Sequence, residues 1–263
     1  MEMQKELLFI KSCEMNDVDK VGAWLTLADD LKVDINAAND SGFTAAHMAA
    51  RGGHTKIIQM LADTGMVNLN KETNGLRKKG LTALSLALQK GHFQVAALIM
   101  EQDKINFRTE NSNIGGTVAG YAIEGGLHCV QLLANMEKFD CWNIPDKFCM
   151  TPIEHAILNK QFEILKILLN CPRVDPNLLS QGNSPVMKAV KESNNEILKI
   201  LLNCPRVDPN LLSQGNSPVM KAVKDEKTAI AMMLIRNPRV DLRTRDIDNN
   251  TLQKIARWEK TKT

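Results

Sequence analysis

Aromatic side chains are scarce in this 263-residue chain: Phe, Trp and Tyr together make up 4% of it, with a single tyrosine. A core built on large rings is therefore excluded, and aliphatic residues must fill the interior. No run of about 18 apolar residues occurs, which excludes a membrane-spanning helix. The N-terminal MEMQKELLFIKSCEM carries charges throughout and has no long apolar core, so no secretory signal is expected. Net charge is small, +3 over the whole chain, too little to argue for nucleic acid as a partner. The six cysteines (Cys13, Cys129, Cys141, Cys149, Cys171 and Cys204) form no C-x-x-C, and no H-x-x-x-H accompanies them. A zinc site has no ligand spacing to rest on. The cysteines read as free small hydrophobes of a reducing cytoplasmic setting, the nucleus included. Gly115, Gly116 and Gly120 miss the G-x-G-x-x-G spacing and follow no evident strand, so no dinucleotide site is expected. No nucleophile, base and orienting group stand at a readable spacing. The chain is not expected to be an enzyme or to hold a cofactor.

What the chain has is repetition. Glu163 to Lys191 reads EILKILLNCPRVDPNLLSQGNSPVMKAVK, and Glu196 to Lys224 reads the same, 33 residues on. A period in this range means stacked structural units. On the same ruler fall Thr44, Thr82, Thr117, Thr151, Ser184, Ser217 and Thr251, spaced 38, 35, 34, 33, 33 and 34 residues apart. A Ser or Thr hydroxyl accepts the orphan N–H groups of a helix start, so each is a predicted N-cap. Pro152, Pro185 and Pro218 follow directly, where proline's fixed φ suits the first turn. Gly53, Gly91 and Gly126 sit where that helix would end on a left-handed residue. At the matching positions Lys160, Ser193 and Glu226 replace glycine. Those turns are expected to be distorted, or to take the left-handed residue from Asn159 or Asn194. A second apolar helix follows each turn, as at Ile164, Leu165, Ile167, Leu168 and Leu169. Then comes a V-D or V-N element such as Val33-Asp34-Ile35-Asn36 or Val174-Asp175-Pro176-Asn177. Helices of two to three turns are not stable alone in water. Their stability must come from stacking on neighbours.

Thr44-Ala45-Ala46-His47, Gly53-His54 and Gly91-His92 stand close to a known signature: a Thr-Pro-Leu-His helix start, a Gly-His turn, an Ile-Val-x-Leu-Leu helix and a Val-Asn finger over about 33 residues. On these residues the chain resembles the ankyrin repeat family, from about Lys5 to Trp258. The resemblance implies an all-α fold, an ankyrin-repeat solenoid of stacked helix-turn-helix pairs with finger loops. It implies one domain over 1–263, in approximate units 5–38, 39–76, 77–111, 112–145, 146–178, 179–211, 212–245 and 246–263. Polar end helices are expected to cap it, the last one with Gln253, Lys254, Arg257 and Trp258, which favours a monomer. Cys171 and Cys204 would stand about 10 Å apart, beyond the ~7 Å between Cα atoms that a disulfide tolerates. His47 is expected to brace its own turn, and Trp24 to join the core. Asn68–Gly80 (NLNKETNGLRKKG) reads as a lengthened finger hairpin with Asn74-Gly75 as its tight turn and Arg77, Lys78 and Lys79 as a basic contact loop. The glycines around Ser112–Tyr121 read as a weak or kinked unit.

The resemblance further implies a scaffold or adaptor that binds a protein or peptide on a concave face of finger tips and first helices. Carried onto this chain, that face begins with Asp40, Ser41, Phe43 and Arg51, then Lys78, Lys79, Leu81 and Gln89, then Asn113, Ile114 and Glu124. It continues with Lys147, Phe148, Met150 and Asn159. The twin copies add Ser180, Gln181, Asn183 and Lys191, and Ser213, Gln214, Asn216 and Lys224. Phe43, Phe148, Met150 and, in the same finger, Trp142 are the expected apolar anchors. Lys188, Lys191, Ser180 and Gln181 are expected to be exposed. From Ile164 on there are 17 basic and 10 acidic residues, a balance of +7 against −4 for the rest. A solvated face is the plain reading of this balance; an acidic partner or nucleic acid bound through the basic C-terminal half, or a role as the repeat portion of a larger regulatory protein, are the alternatives to the scaffold reading.

Overall fold

Six of the helix pairs begin where a hydroxyl can take a free backbone N–H. Thr44, Thr82, Thr117, Thr151, Ser184 and Ser217 all do so, accepting from the N–H three residues on. The predicted cap at Thr251 and the polar last helix with Trp258 lie outside the described residues. The computed structural model describes residues 2–75, 79–108 and 116–244. Among them are fifteen α-helices and no strands beyond four isolated β-bridges. The fold is all-α, built of stacked helix-turn-helix pairs, and it divides into two compact units.

The first unit comprises the described residues up to Cys141, with Asp146–Phe148. Its pairs are α1 (Glu2–Glu14) with α2 (Val18–Thr26) and the one-turn α3 (Ala28–Leu31), α4 (Ala45–Gly52) with α5 (Thr55–Asp63), α6 (Ala83–Gln89) with α7 (Phe93–Met100), and α8 (Val118–Gly125) with α9 (Leu127–Asn135). First helices stack on first helices, α1 on α4, α4 on α6 and α6 on α8; second helices do likewise, from α2 through α5 and α7 to α9. The second unit holds Trp142–Pro145 and the described residues from Cys149 on. There α10 (Pro152–Leu158), α12 (Pro185–Lys191) and α14 (Pro218–Lys224) form the row of first helices. Helices α11 (Phe162–Asn170), α13 (Asn195–Asn203) and α15 (Thr228–Ile235) form the second row.

A small residue at one fixed position lets the first helices approach closely. Ala49, Ala87, Ala122, Ala156, Ala189 and Ala222 all lose their whole surface. The second helices supply the branched bulk: Ile57, Ile58 and Leu61 in one unit, Leu165, Leu168, Leu198 and Leu201 in the other, all fully buried. At about 25 cal/mol per Å² of apolar surface, this double burial offsets the poor intrinsic stability of such short helices.

The turns depart from expectation. Gly53 and Gly91 are left-handed, at φ +73° and +76°. Lys160, Ser193 and Glu226 hold the same conformation themselves, at φ +54°, +55° and +56°. Neither distortion nor a neighbouring asparagine is involved. Asn194 instead caps α13, accepting the Ile197 N–H at 3.0 Å. A side chain in this region strains its backbone by about 1 kcal/mol, and the flanking helices impose it. The lengthened finger differs too. Asn74 bridges to Lys79, so Asn74-Gly75 does not form the two-residue turn. Gly75 serves close approach: a Cβ there would stand 2.1 Å from the Ser41 carbonyl oxygen. Helix α8 runs unbroken over Val118–Gly125; Ser112–Gly115 of the glycine-rich stretch lie outside the described residues.

Candidate interaction surface

The fingers between helix pairs are held by one side chain. The Asn36 amide donates to the Met66 carbonyl at 2.9 Å and accepts from the Asn68 N–H at 2.7 Å. Asn70 repeats this with Lys104 and Asn106. In the second unit Asn143, Asn177 and Asn210 do the same toward Arg173 and Asp175, Arg206 and Asp208, and Arg239 and Asp241. A primary amide carries both a donor and an acceptor. It therefore copies a backbone bridge between successive fingers and fixes their spacing without a sheet.

His47 joins finger to helix as expected. Its Nδ1 accepts the Thr44 N–H at 3.0 Å, and its Nε2 lies 3.0 Å from the Leu81 carbonyl of the next finger. That pattern requires the neutral ring with the proton on Nε2. Burial pushes its pKa down to about 4. The other titrating groups with large shifts are thiols. Burial raises Cys13 to about 12 and Cys129 and Cys141 to about 11. Thiols held so high are poor nucleophiles and serve as small hydrophobes. Cys149 is exposed. Among the described residues, no group of three or more His, Cys, Asp or Glu could hold a metal ion. Within the same limits, no helix is long and apolar enough to cross a membrane.

Several predicted face residues point inward. Phe43 is 6% exposed, its ring edge-on to His47 with centroids 6.1 Å apart. Leu81, one residue before the next cap, is also buried. An apolar residue just ahead of an N-cap folds back on its own helix, so neither is an anchor. Ser180 and Ser213 are buried as well. Ser180 bonds the Cys149 carbonyl at 2.6 Å and the Glu154 carboxylate. Ser213 accepts the Ser184 N–H at 3.1 Å. Trp142 is buried rather than presented by its finger. Lys188, expected on the surface, is half-buried and paired with buried Glu154 at 2.9 Å. Trp24, expected in the core, is half-buried beside exposed Leu27.

Other predicted residues do reach solvent. In the first unit Asp40, Ser41, Arg51, Lys79, Glu124 and Lys147 are exposed. Gln89 is half-buried and donates to Glu124 at 2.9 Å. Phe148 stands out at 57% exposure, with the Lys147 ammonium 5.0 Å from its ring centroid. In the second unit Asn159, Gln181, Gln214 and Lys224 are exposed, while Met150, Asn183, Asn216 and Lys191 are half-buried. Arg77, Lys78, Asn113 and Ile114 lie outside the described residues. Sequence reasoning missed Leu179 and Leu212, 49% and 51% exposed at equivalent places in the twin copies. The signal was the pair Leu178-Leu179 in an extended segment, where consecutive side chains face opposite ways.

Several basic residues of the second unit, exposed Arg206 and Lys166 among them, are engaged by its own carbonyls and carboxylates. The Arg206 guanidinium donates to the Leu169 and Cys171 carbonyls at 3.1 and 2.8 Å. Arg239 does the same for Pro205 and Val207 at 3.2 and 2.8 Å. Lys227 donates to the Val190 and Lys191 carbonyls at 2.9 and 2.8 Å. Lys221 pairs with Asp225, and Lys166 with Glu163. Cations at helix C-termini satisfy the last free carbonyls and oppose the helix dipole.

Two family models match the sequence. A model of ankyrin repeats in three copies covers residues 9–111 and 156–246. A second, of ankyrin repeats in many copies, covers residues 120–169. A comparison with curated proteins returns no match.

Proposed function

The chain belongs to the ankyrin repeat family, whose repeats are generally protein–protein interaction modules, and from that premise we propose that it is a binding scaffold for a protein or peptide. Contact is made through finger tips and the open side of the first helices. The observation that carries this reading is Phe148. An aromatic ring 57% exposed, flanked by a lysine 5.0 Å from its centroid, combines apolar area with a cationic neighbour. Such rings are enriched among the few residues that dominate interface energies. Exposed Asp40, Ser41, Lys79 and Glu124 of the same unit add polar side chains of the kind that interface rims carry. A basic excess engaged with carbonyls and carboxylates favours a protein partner over a polyanion.

Affinity capture from native lysate, read by mass spectrometry, tests this with the wild type and a Lys147→Ala/Phe148→Ala variant side by side. A partner that binds the wild type and is weakened about 10-fold or more in the variant supports the reading. The same partners with the same dissociation constants on both would move the interface off this finger.

A further inference from the structure

The twin copies set the same lysine against the same asparagine twice, half-buried at Lys191 and exposed at Lys224. Lys191 ends α12 and reaches Asn183 Oδ1 at 2.6 Å; Lys224 ends α14 and reaches Asn216 Oδ1 at 3.2 Å. In each copy the asparagine stands one residue before the N-cap, where the first unit carries buried Phe43 and Leu81. The polar residue holds the ammonium at the foot of the finger. The neighbouring acids are differently placed. Asp225 is engaged by Lys221 at 2.7 Å and lies 3.7 Å from Lys227, while Glu192 is exposed beside Lys191. Gln181 and Gln214, both exposed, occupy the left-handed tips of the same fingers at φ +49° and +51°.

Helices α12 and α14 are packed neighbours, so equivalent residues on them stand about 8–10 Å apart. A polyproline II segment advances about 3.1 Å per residue with three residues per turn. Its residues i and i+3 therefore share a face and lie roughly 9 Å apart. In a β-strand the same two residues would face opposite sides. We propose that Lys191 and Lys224 together read an acidic, extended peptide in the polyproline II conformation, with carboxylates at i and i+3. The glutamine amides at the finger tips are placed to meet its backbone, which has no internal hydrogen bonds of its own. This inference rests on the interaction reading above and adds a partner chemistry to it.

The test uses fluorescein-labelled proline-rich peptides carrying two aspartates, spaced i, i+3 in one and i, i+2 in the other. Fluorescence anisotropy at low ionic strength reports their dissociation constants for the full chain. The i, i+3 peptide is expected to bind at least about threefold more tightly, since only it places both carboxylates on one face. Lys191→Ala and Lys224→Ala should each weaken it by about two- to fivefold. The i, i+2 peptide should scarcely respond to the second substitution. Equal affinity for the two spacings, or affinity indifferent to both lysines, overturns the proposal. The spacing comparison needs no variant, so a folding defect cannot decide it. Should both peptides bind alike while Lys147→Ala/Phe148→Ala still loses its captured partner, the spacing rule falls and the scaffold reading stands.

Discussion

The first unit and the second make the same connections with different residues. In the first unit Gly53 and Gly91 form the left-handed turns, and the histidine after each reaches back to the preceding pair. His54 contacts the Glu14 carbonyl at 2.9 Å and His92 the Arg51 carbonyl at 3.1 Å. In the second unit Lys160, Ser193 and Glu226 take the turn. Lys227, at the position equivalent to His92, reaches the Lys191 carbonyl at 2.8 Å. Arg51 and Lys191 are themselves equivalent, seven residues past their caps. The bond is kept while the donor changes from a ring nitrogen to an ammonium. Stacked helix pairs thus specify where a donor is needed and leave open which side chain supplies it. What differs is titration. His47 is buried and neutral; its counterparts in the second unit are Glu154, Met187 and Met220.

If packing is equivalent in the two units, Leu61→Ala and Leu168→Ala should each destabilise the protein by about 2–5 kcal/mol. Both side chains are fully buried, and urea denaturation reads the loss. A shift near zero for Leu168 would place it outside the core and break the alignment of the units. Acid should separate the units. His47 sits near pKa 4 in the folded chain against 6.5 for the ordinary ring, so the unfolded chain binds its proton more readily. The contribution of His47 is full above about pH 6.5 and declines by roughly 3 kcal/mol as pH falls toward 4. Amide protection factors around α4 and Leu81, corrected for the intrinsic exchange rate at each pH, should therefore fall between pH 6.5 and 4. Protection there that stays flat across this window would mean the ring is protonated in the folded state. The smallest effect concerns the turns. Ser193→Gly and Glu226→Gly relieve left-handed strain and should stabilise by about 0.5–1 kcal/mol each. Gly53→Ala should cost at least as much, since its Cβ would also stand 2.6 Å from the His92 ring. A loss of stability in either glycine variant would show that the native side chains contribute more than their strain removes.

Residues that carry a local rule were legible in advance. A hydroxyl before an apolar run caps a helix whatever surrounds it, so Thr44 through Ser217 fell where expected. The left-handed Lys160 and Ser193 were not legible. A strain near 1 kcal/mol is small beside the packing of two helices, and no local signal marks where packing overrides it. Exposure along the predicted face was legible only in part. Sequence offset located the fingers and picked out Lys147, Phe148, Gln181 and Lys224, but offset does not say which way a side chain turns. Phe43 and Leu81 lie ahead of a cap and fold under it. Ser180 is drawn inward by the Glu154 carboxylate, which the sequence places 26 residues away. The exposed Leu179 was passed over because leucine reads as core.

The identity of the two copies has a consequence for the length of the array. Removing residues 164–196 joins Glu163 to Ile197, a junction that already occurs in the chain as Glu163-Ile164 and Glu196-Ile197. The join leaves no foreign dipeptide. The residues flanking the copies differ, Gln161-Phe162 against Asn194-Asn195 and Glu192-Ser193 against Asp225-Glu226, so shortening sets α10 and α11 against α14 and α15 in place of α12 and α13. Length is adjustable in steps of 33 residues, and these flanking contacts are what each step changes. Each step adds or removes one lysine–asparagine pair of the kind that Lys191 makes with Asn183 and Lys224 with Asn216.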